Sequence, residues 1–124
     1  MRLDGILGKQ KQEVENKKID VKELISNDVK RKNFITALNK VKVMIDGARN
    51  DGLQKTEWEG FFSGLGFKDI NEVSHVIKTF VEILEKKDLI RALGQWKNIK
   101  KISDNFDEIN AFLAQRGLNL AEAI

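Results

Sequence analysis

The sequence predicts a single all-α domain, a compact bundle of five or six helices around a central helix at residues 70–86. The apolar residues of 70–84 fall on one face of a helix. Proline is absent, which favours uninterrupted helices. A chain of 124 residues, 41% of them apolar, fits one domain with a substantial core rather than two domains.

The central helix is predicted from its apolar spacing and from its N-terminal cap. Its apolar side chains fall within an arc of about 160°, and adjacent apolar pairs exclude the alternation of a strand. Asp69 is a good N-cap, and Glu72 completes a capping-box pattern. An arc this wide should contact two or three neighbouring helices. The apolar face consists of Ile70, Val73, Val76, Ile77, Phe80, Val81, Ile83 and Leu84.

Three elements are predicted before the central helix. Asp20 starts a capping-box pattern, which indicates one or two turns of helix. Apolar residues at helical spacing predict a long helix at 29–47. A polar loop is expected at 47–55, followed by a short helix over 57–64 that Thr56 caps.

Residues 88–102, which follow the central helix, have two interpretations. A shared apolar face favours a helix, although a glycine costs about 1 kcal/mol in a helix interior. The alternative is a hairpin that turns at Gly94–Gln95, but its strands alternate poorly. Ser103 or Asp104 is expected to cap a last helix that ends at Gly117.

The domain organisation follows from the change in composition along the chain. Residues 1–27 are interpreted as a partly ordered basic N-terminal arm, and residues 28–124 as the helical domain. The arm includes the polar stretch 9–18, KQKQEVENKK, which is typical of a solvated helix or a flexible arm. A short apolar cluster that can dock as part of a helix precedes it, formed by Leu3, Ile6 and Leu7.

The composition excludes several classes of function. The chain has no cysteine, which rules out disulfides, thiolate catalysis and cysteine-ligated zinc and fits a reducing compartment. No apolar run approaches the roughly 20 residues that span a bilayer, so no membrane partner is expected. The first residues lack the apolar core of a signal peptide, which predicts a cytoplasmic protein. The formal net charge of +3 is small for a strong nucleic-acid binder.

Residues 46–57, DGARNDGLQKTE, resemble the calcium-binding loop of an EF-hand. Loops of that family carry oxygen ligands at the first, third, fifth and twelfth places and an apolar residue at the eighth. The first, fifth, eighth and twelfth places are held here by Asp46, Asn50, Leu53 and Glu57. The resemblance covers residues 34–62 and implies a degenerate EF-hand helix–loop–helix.

The segment departs from the EF-hand pattern at two places. Ala48 at the third place has no coordinating oxygen, and Asp51 stands where a glycine normally permits a sharp turn. The resemblance therefore implies a calcium-responsive module that does not bind calcium tightly. The alternative is a polar connection between two helices, with Glu57 favoured at a helix start by the helix dipole.

A DNA-binding helix-turn-helix is another interpretation of the middle of the chain. The helix at 57–64, the turn at 65–68 and the central helix would supply its parts. A recognition helix presents arginine, lysine, asparagine or glutamine to base edges near its N terminus. The polar face of the central helix offers Asn71, Ser74, His75, Lys78 and Thr79. Of these, Lys78 alone is reliably cationic.

Nine basic side chains and one tryptophan are the candidate partner-binding residues. If enough of the cations converge, they can hold phosphates without sequence specificity. The alternative is that they coat the solvated faces of the helices, and the sequence leaves this open. An exposed tryptophan would be a protein-binding anchor. The candidates are Lys30, Arg31, Lys32, Lys86, Lys87, Arg91, Lys97, Lys100, Lys101 and Trp96.

No sequence pattern points to catalysis. His75 is the only histidine and is predicted to be a surface residue. The sequence shows no metal-ligand cluster and no phosphate-binding loop, so no cofactor is expected. The predicted function is a non-catalytic, small helical binding or adaptor module whose partner is another protein, including one within a nucleoprotein target. A nucleic acid is the alternative partner, and homo-oligomerisation through the aliphatic last helix stays open.

Overall fold

The computed structural model describes residues 19–123 and places them in an all-α bundle. Seven α-helices and no strand occur within these residues, so the predicted fold class is confirmed with one helix more than expected. None of these helices combines the length and the apolar character needed to cross a membrane. In chain order the elements are α1 (Val21–Ser26), α2 (Asp28–Arg49), α3 (Gly52–Ser63), α4 (Ile70–Lys86), α5 (Leu89–Gly94), α6 (Trp96–Asp104), α7 (Phe106–Ala114) and a 3₁₀ turn (Leu120–Ala123).

The centre of the bundle is α4, as the sequence predicts. It contacts α2, α3, α5 and α6, and its most extensive contact is with α2. All eight side chains of its predicted apolar face are buried. The rings of Phe34 in α2 and Phe80 in α4 meet edge to face, with their centroids 5.7 Å apart. Asp69 caps the helix, since its carboxylate accepts a hydrogen bond from the Glu72 N–H at 2.8 Å.

The connection between α2 and α3 is much shorter than the predicted loop at 47–55. Residues 50–51 alone separate the two helices. Asp51 is the N-cap of α3, and its carboxylate accepts hydrogen bonds from two backbone N–H groups of the first turn at 3.1 and 3.2 Å. Thr56 lies inside α3, where its hydroxyl donates to the Gly52 carbonyl at 2.9 Å. The loop prediction is wrong because Asp51 satisfies the unpaired N–H groups of the helix before Thr56 is reached.

Residues 88–102 form two helices in succession, α5 and the greater part of α6. Gln95 alone separates these helices. Asp88 caps α5 by accepting a hydrogen bond from the Arg91 N–H at 3.0 Å. Gly94 ends α5, so it avoids the cost of a glycine in a helix interior. The helical interpretation is confirmed. The hairpin is wrong because the backbone hydrogen bonds join residues four apart within a helical turn, such as that from the Gln95 N–H to the Arg91 carbonyl at 2.9 Å.

The residues around α1 belong to the core. Their buried side chains are those of Ile19, Val21 and Leu24. The backbone N–H of Ile19 donates to the hydroxyl of the buried Ser103 in α6 at 3.2 Å. Residues 19–27 of the predicted arm are therefore packed on the bundle. The rest of that prediction concerns residues 1–18, which lie outside the described residues.

An aromatic cluster joins α3 to α7. Phe61 and Phe112 stack with their ring centroids 4.2 Å apart, and Trp58 meets Phe112 edge to face at 5.1 Å. Trp58 is only 2% exposed, so this tryptophan is a core residue. A void of about 10 Å³ lies between the core side chains, at the lower limit for a single water molecule.

Candidate protein-binding groove

An open apolar groove lies between residues 19–22 and helices α5 and α6. Its volume is about 800 Å³. Residues 19–22 form one wall, and α5 with the first residue of α6 forms the other. The apolar lining consists of Ile19, Val21, Leu89, Ala92, Leu93 and Trp96. The groove is large enough to take several side chains of a partner.

The wall formed by α5 and α6 follows from the spacing of its residues. Leu89, Ala92, Leu93 and Trp96 recur at helical intervals, so they lie on one side of the segment. Ala92 is 2% exposed and lies at the base of the wall. Leu93 and Trp96 are 69% and 40% exposed, so they stand at the mouth. This wall is apolar and in contact with water.

Exposed apolar side chains concentrate beside the groove. In residues 19–123, six large apolar side chains are exposed, and half of them belong to the seven residues 90–96. These three are Ile90, Leu93 and Trp96. The other three lie at separate places on α2 and α3, namely Val29, Val43 and Leu53. Single exposed apolar side chains are ordinary, whereas a group of them beside an apolar groove is typical of a binding surface.

The lining of the groove carries one charged side chain of each sign, Lys22 and Asp20, and a second lysine follows the lining residue Trp96. Lys22 lines the groove and is exposed, and the exposed Lys97 follows Trp96 in the chain. Asp20 also lines the groove, but its carboxylate caps α1 by accepting a hydrogen bond from the Glu23 N–H at 3.1 Å. Acidic side chains beside the apolar face of a partner would complement the two lysines.

The basic cluster at the start of α2 is largely engaged in internal contacts. Lys30 pairs with Glu23 of α1 at 2.8 Å. Arg31 is only 7% exposed, and its guanidinium donates to the Ile25 carbonyl at 2.7 Å and to the Asp28 carboxylate. Arg31 is therefore removed from the predicted binding surface, because its hydrogen bonds tie the end of α1 to the start of α2.

Lysines from two distant parts of the chain meet beside Asp28. Lys32, Lys86 and Lys87 are all exposed. The pKa of Asp28 lies below its ordinary value because of the hydrogen bond from Arg31, and the positive charges of Arg31, Lys87 and Lys32 lower it further. The start of α2 and the end of α4 therefore bring Lys32 and Lys87 near the Asp28 carboxylate.

Lys101 of α6 lies at the opposite end of α4. Lys101 pairs with Glu72 in the first turn of α4 at 3.7 Å, and Lys100 forms an ion pair within α6 at 2.7 Å. Because α4 has 17 residues, its ends are about 25 Å apart at 1.5 Å per residue. Arg91 pairs with Glu82 at 3.1 Å. The candidate cations are thus divided between two ends of the central helix.

The segment that resembles an EF-hand is almost entirely helical in the structure. Residues 50–51 are its only non-helical part. Asp46 pairs with Arg49 at 3.7 Å, and Glu57 pairs with Arg116 at 3.3 Å. Within the part of the chain that the structure describes, no three carboxylate or histidine side chains are grouped to hold a metal ion. The calcium-responsive alternative stays a prediction from the sequence.

The helix-turn-helix interpretation would assign base recognition to the central helix of the bundle. Thr79, which is predicted to lie on the reading face, is buried. The exposed stripe of α4 includes Asn71, His75, Lys78 and Glu85. A single lysine accompanied by a glutamate forms a weak surface for reading bases.

The sequence points to Trp96 but misses the rest of the groove. It places Leu89, Ala92, Leu93, Trp96 and Ile99 on one helical face, which implies that they are buried together. In the structure Ile99 is buried and Leu93 is exposed, since the six-residue α1 covers only part of that face. The feature of the sequence that could have indicated the groove is the width of this apolar face.

No protein-family model matches the chain, and no curated protein or solved structure matches it.

Proposed function

We propose that the protein is a non-catalytic binding module whose groove accepts the apolar face of an amphipathic helix from a partner protein. The observation that carries this proposal is an apolar groove of about 800 Å³ with Leu93 and Trp96 exposed at its mouth. A helix laid in the groove would remove apolar surface from water, which contributes about 25 cal/mol per Å². An amphipathic helix in an apolar groove is a recurrent mode of peptide recognition.

The openness of the groove favours a helix over a small molecule. Small-molecule sites enclose most of the surface of their ligand. Here the 69% exposure of Leu93 leaves one wall in contact with solvent. The side chains of α5 and α6 recur at helical spacing, and such ridges interleave with side chains three and four residues apart on a second helix.

The charge at the rim defines the chemistry of the partner. Lys22 lines the groove and the exposed Lys97 directly follows Trp96, so acidic side chains on the partner would face opposite charges. The expected partner segment therefore has apolar residues at helical spacing and acidic residues on either side of them.

Selection from a displayed library of helical peptides tests this proposal. The full chain should enrich amphipathic peptides with acidic flanks. Leu93→Asp should weaken the binding of the enriched peptides by more than about tenfold, because it places an unpaired charge in the groove. The matched control is Val43→Asp, since Val43 is 71% exposed against 69% for Leu93 and does not line the groove.

Two results would contradict the proposal. One is a selection that enriches no amphipathic peptide. The other is a set of enriched peptides that bind Leu93→Asp as tightly as they bind Val43→Asp. Circular dichroism of both variants would show that each keeps its helices.

The meeting of lysines beside Asp28 supports a second candidate function, the binding of nucleic-acid backbones. Lys32, Lys86 and Lys87 can contact phosphates without reading bases. Binding of labelled duplex DNA, followed by fluorescence anisotropy, should then weaken steeply as salt rises. Lys87→Glu should reduce the slope of the logarithm of the binding constant against the logarithm of the salt concentration by about one or more, which corresponds to one phosphate contact. The control Lys40→Glu should leave this slope unchanged. DNA binding that is absent or insensitive to salt would exclude this function.

A further inference from the structure

We infer that residues 3–7 of the chain occupy the groove when no partner is bound, so that the N-terminal segment competes with the partner helix. The inference concerns the regulation of the groove to which the proposed function assigns partner binding. It follows from where the described chain begins, from the residue pattern of the segment and from the charges at the rim.

The position of Ile19 places the preceding segment beside the groove. Ile19 lines the groove, and its N–H is held by the Ser103 hydroxyl at 3.2 Å. Residues 1–18 therefore connect to the bundle at the groove wall itself. The eleven residues 8–18 can span up to about 36 Å at roughly 3.3 Å per residue, so residues 3–7 can reach any part of the groove. Such a tether gives an effective concentration on the order of millimolar.

The sequence of residues 3–7, LDGIL, has the features expected of an occupant. Leu3, Ile6 and Leu7 have the spacing that places side chains on one side of a helix. Their branched apolar side chains match the aliphatic and aromatic lining of the groove. By contrast, residues 9–18 contain a single apolar residue, so the apolar cluster is separated from the bundle by a polar connection.

Charge complementarity also favours this segment. Asp4 lies within the apolar cluster, and it is the only charged residue in 3–7. Lys22 in the groove lining offers an opposite charge, and the exposed Lys97 directly follows the lining residue Trp96. The segment thus reproduces, on a small scale, the apolar and acidic pattern that the groove selects.

A nitroxide spin label near the cluster tests the inference directly. The chain has no cysteine, so Gly8→Cys gives a single labelling site on the full chain. The label should broaden the NMR signal of the Trp96 indole N–H. Adding Leu3→Asp and Ile6→Asp to the labelled chain should restore that signal, because the charges prevent docking while the tether keeps its length.

The outcomes separate an internal occupant from a second copy of the chain. Broadening that is absent, or that persists equally in the Leu3→Asp/Ile6→Asp chain, overturns the inference. A second experiment mixes labelled chains without ¹⁵N with unlabelled, ¹⁵N-enriched chains. Equal broadening of the Trp96 signal in this mixture also overturns the inference, since a second molecule then fills the groove.

The enriched helical peptides distinguish failure of this inference from failure of the proposed function. Competition by residues 3–7 should make these peptides bind Leu3→Asp/Ile6→Asp at least about threefold more tightly than the unmodified chain. Equal affinities would overturn the inference and leave the proposed function intact. If no peptide binds either chain while the Trp96 signal is broadened by intramolecular docking, the proposed function fails and the inference holds.

Discussion

Arg31 shows how a single buried cation organises the part of the molecule that leads to the groove. Its guanidinium donates to the Ile25 carbonyl at the end of α1 and to the Asp28 carboxylate at the start of α2. A buried charge is tolerated when its hydrogen bonds and its counter-charge are provided, and both are present here. Arg31 therefore fixes the orientation of α1, whose first residues form one wall of the groove.

The carboxylate of Asp28 predicts how this junction responds to pH. The Arg31 hydrogen bond and the nearby positive charges lower the pKa of Asp28 in the folded state. Ionised Asp28 therefore stabilises the fold above the ordinary pKa of about 4, and this contribution is lost as the pH falls through the lowered folded value. Asp28→Asn should reduce the free energy of unfolding at neutral pH by a small amount, because the carboxylate is 71% exposed.

Urea unfolding of Asp28→Asn and the unmodified chain at several pH values measures this effect. The difference between the two chains should shrink as the pH is lowered below about 4. The control is Asp107→Asn, which changes an exposed carboxylate in the first turn of α7. A difference for Asp28→Asn that stays constant down to the most acidic pH would contradict this account.

At the scale of elements, short helices and their caps create the groove. α1 and α5 have six residues each, and Asp20 and Asp88 cap them through hydrogen bonds to backbone N–H groups. Helices this short have little stability on their own, so caps and packing hold them in place. Because α1 is too short to cover the whole apolar face of α5 and α6, Leu93 and Trp96 are left exposed.

A pair of substitutions tests the cap assignment in α3. Asp51→Ala should lower the free energy of unfolding by about 0.5–2 kcal/mol, because the carboxylate accepts hydrogen bonds from two N–H groups of the first turn. Thr56→Ala should cost less, since Thr56 lies inside the helix and bonds to a carbonyl of the preceding turn. Chemical denaturation measures both changes, and a larger loss for Thr56→Ala would place the start of the helix where the sequence predicted it.

At the scale of the whole molecule, α4 connects the helices into one core. Its apolar face packs against α2, α3, α5 and α6. Phe80, at the centre of this face, has no exposed surface and contacts the ring of Phe34 in α2. The groove depends on this core because α5 and α6 are positioned by their contacts with α4.

Truncation of Phe80 tests the central position of α4. Phe80→Ala should lower the free energy of unfolding by about 3–5 kcal/mol, because it removes a fully buried ring from a packed core. His75→Ala, on the exposed side of the same helix, should change it by less than about 0.5 kcal/mol. Urea denaturation followed by circular dichroism compares the two. Similar losses for both variants would show that the buried face of α4 does not dominate the stability.

The sequence could predict the features that are encoded locally. The apolar face of α4 and its Asp69 cap lie within one stretch of chain, so periodicity and capping preferences suffice to find them. The burial of Arg31, the approach of Lys87 to Asp28 and the pairing of Lys101 with Glu72 depend on how separate helices pack. The groove belongs to the same class, because it is the part of an apolar face that a distant segment leaves uncovered.

The most direct test of the proposed groove is an NMR titration of the full, ¹⁵N-enriched chain with an enriched helical peptide. The two tryptophans provide matched reporters, since Trp96 lines the groove and Trp58 is 2% exposed in the core. The account predicts that the Trp96 indole N–H signal shifts on binding while the Trp58 signal stays in place. A Trp96 signal that does not move at saturating peptide, or a shift confined to Trp58, would contradict it.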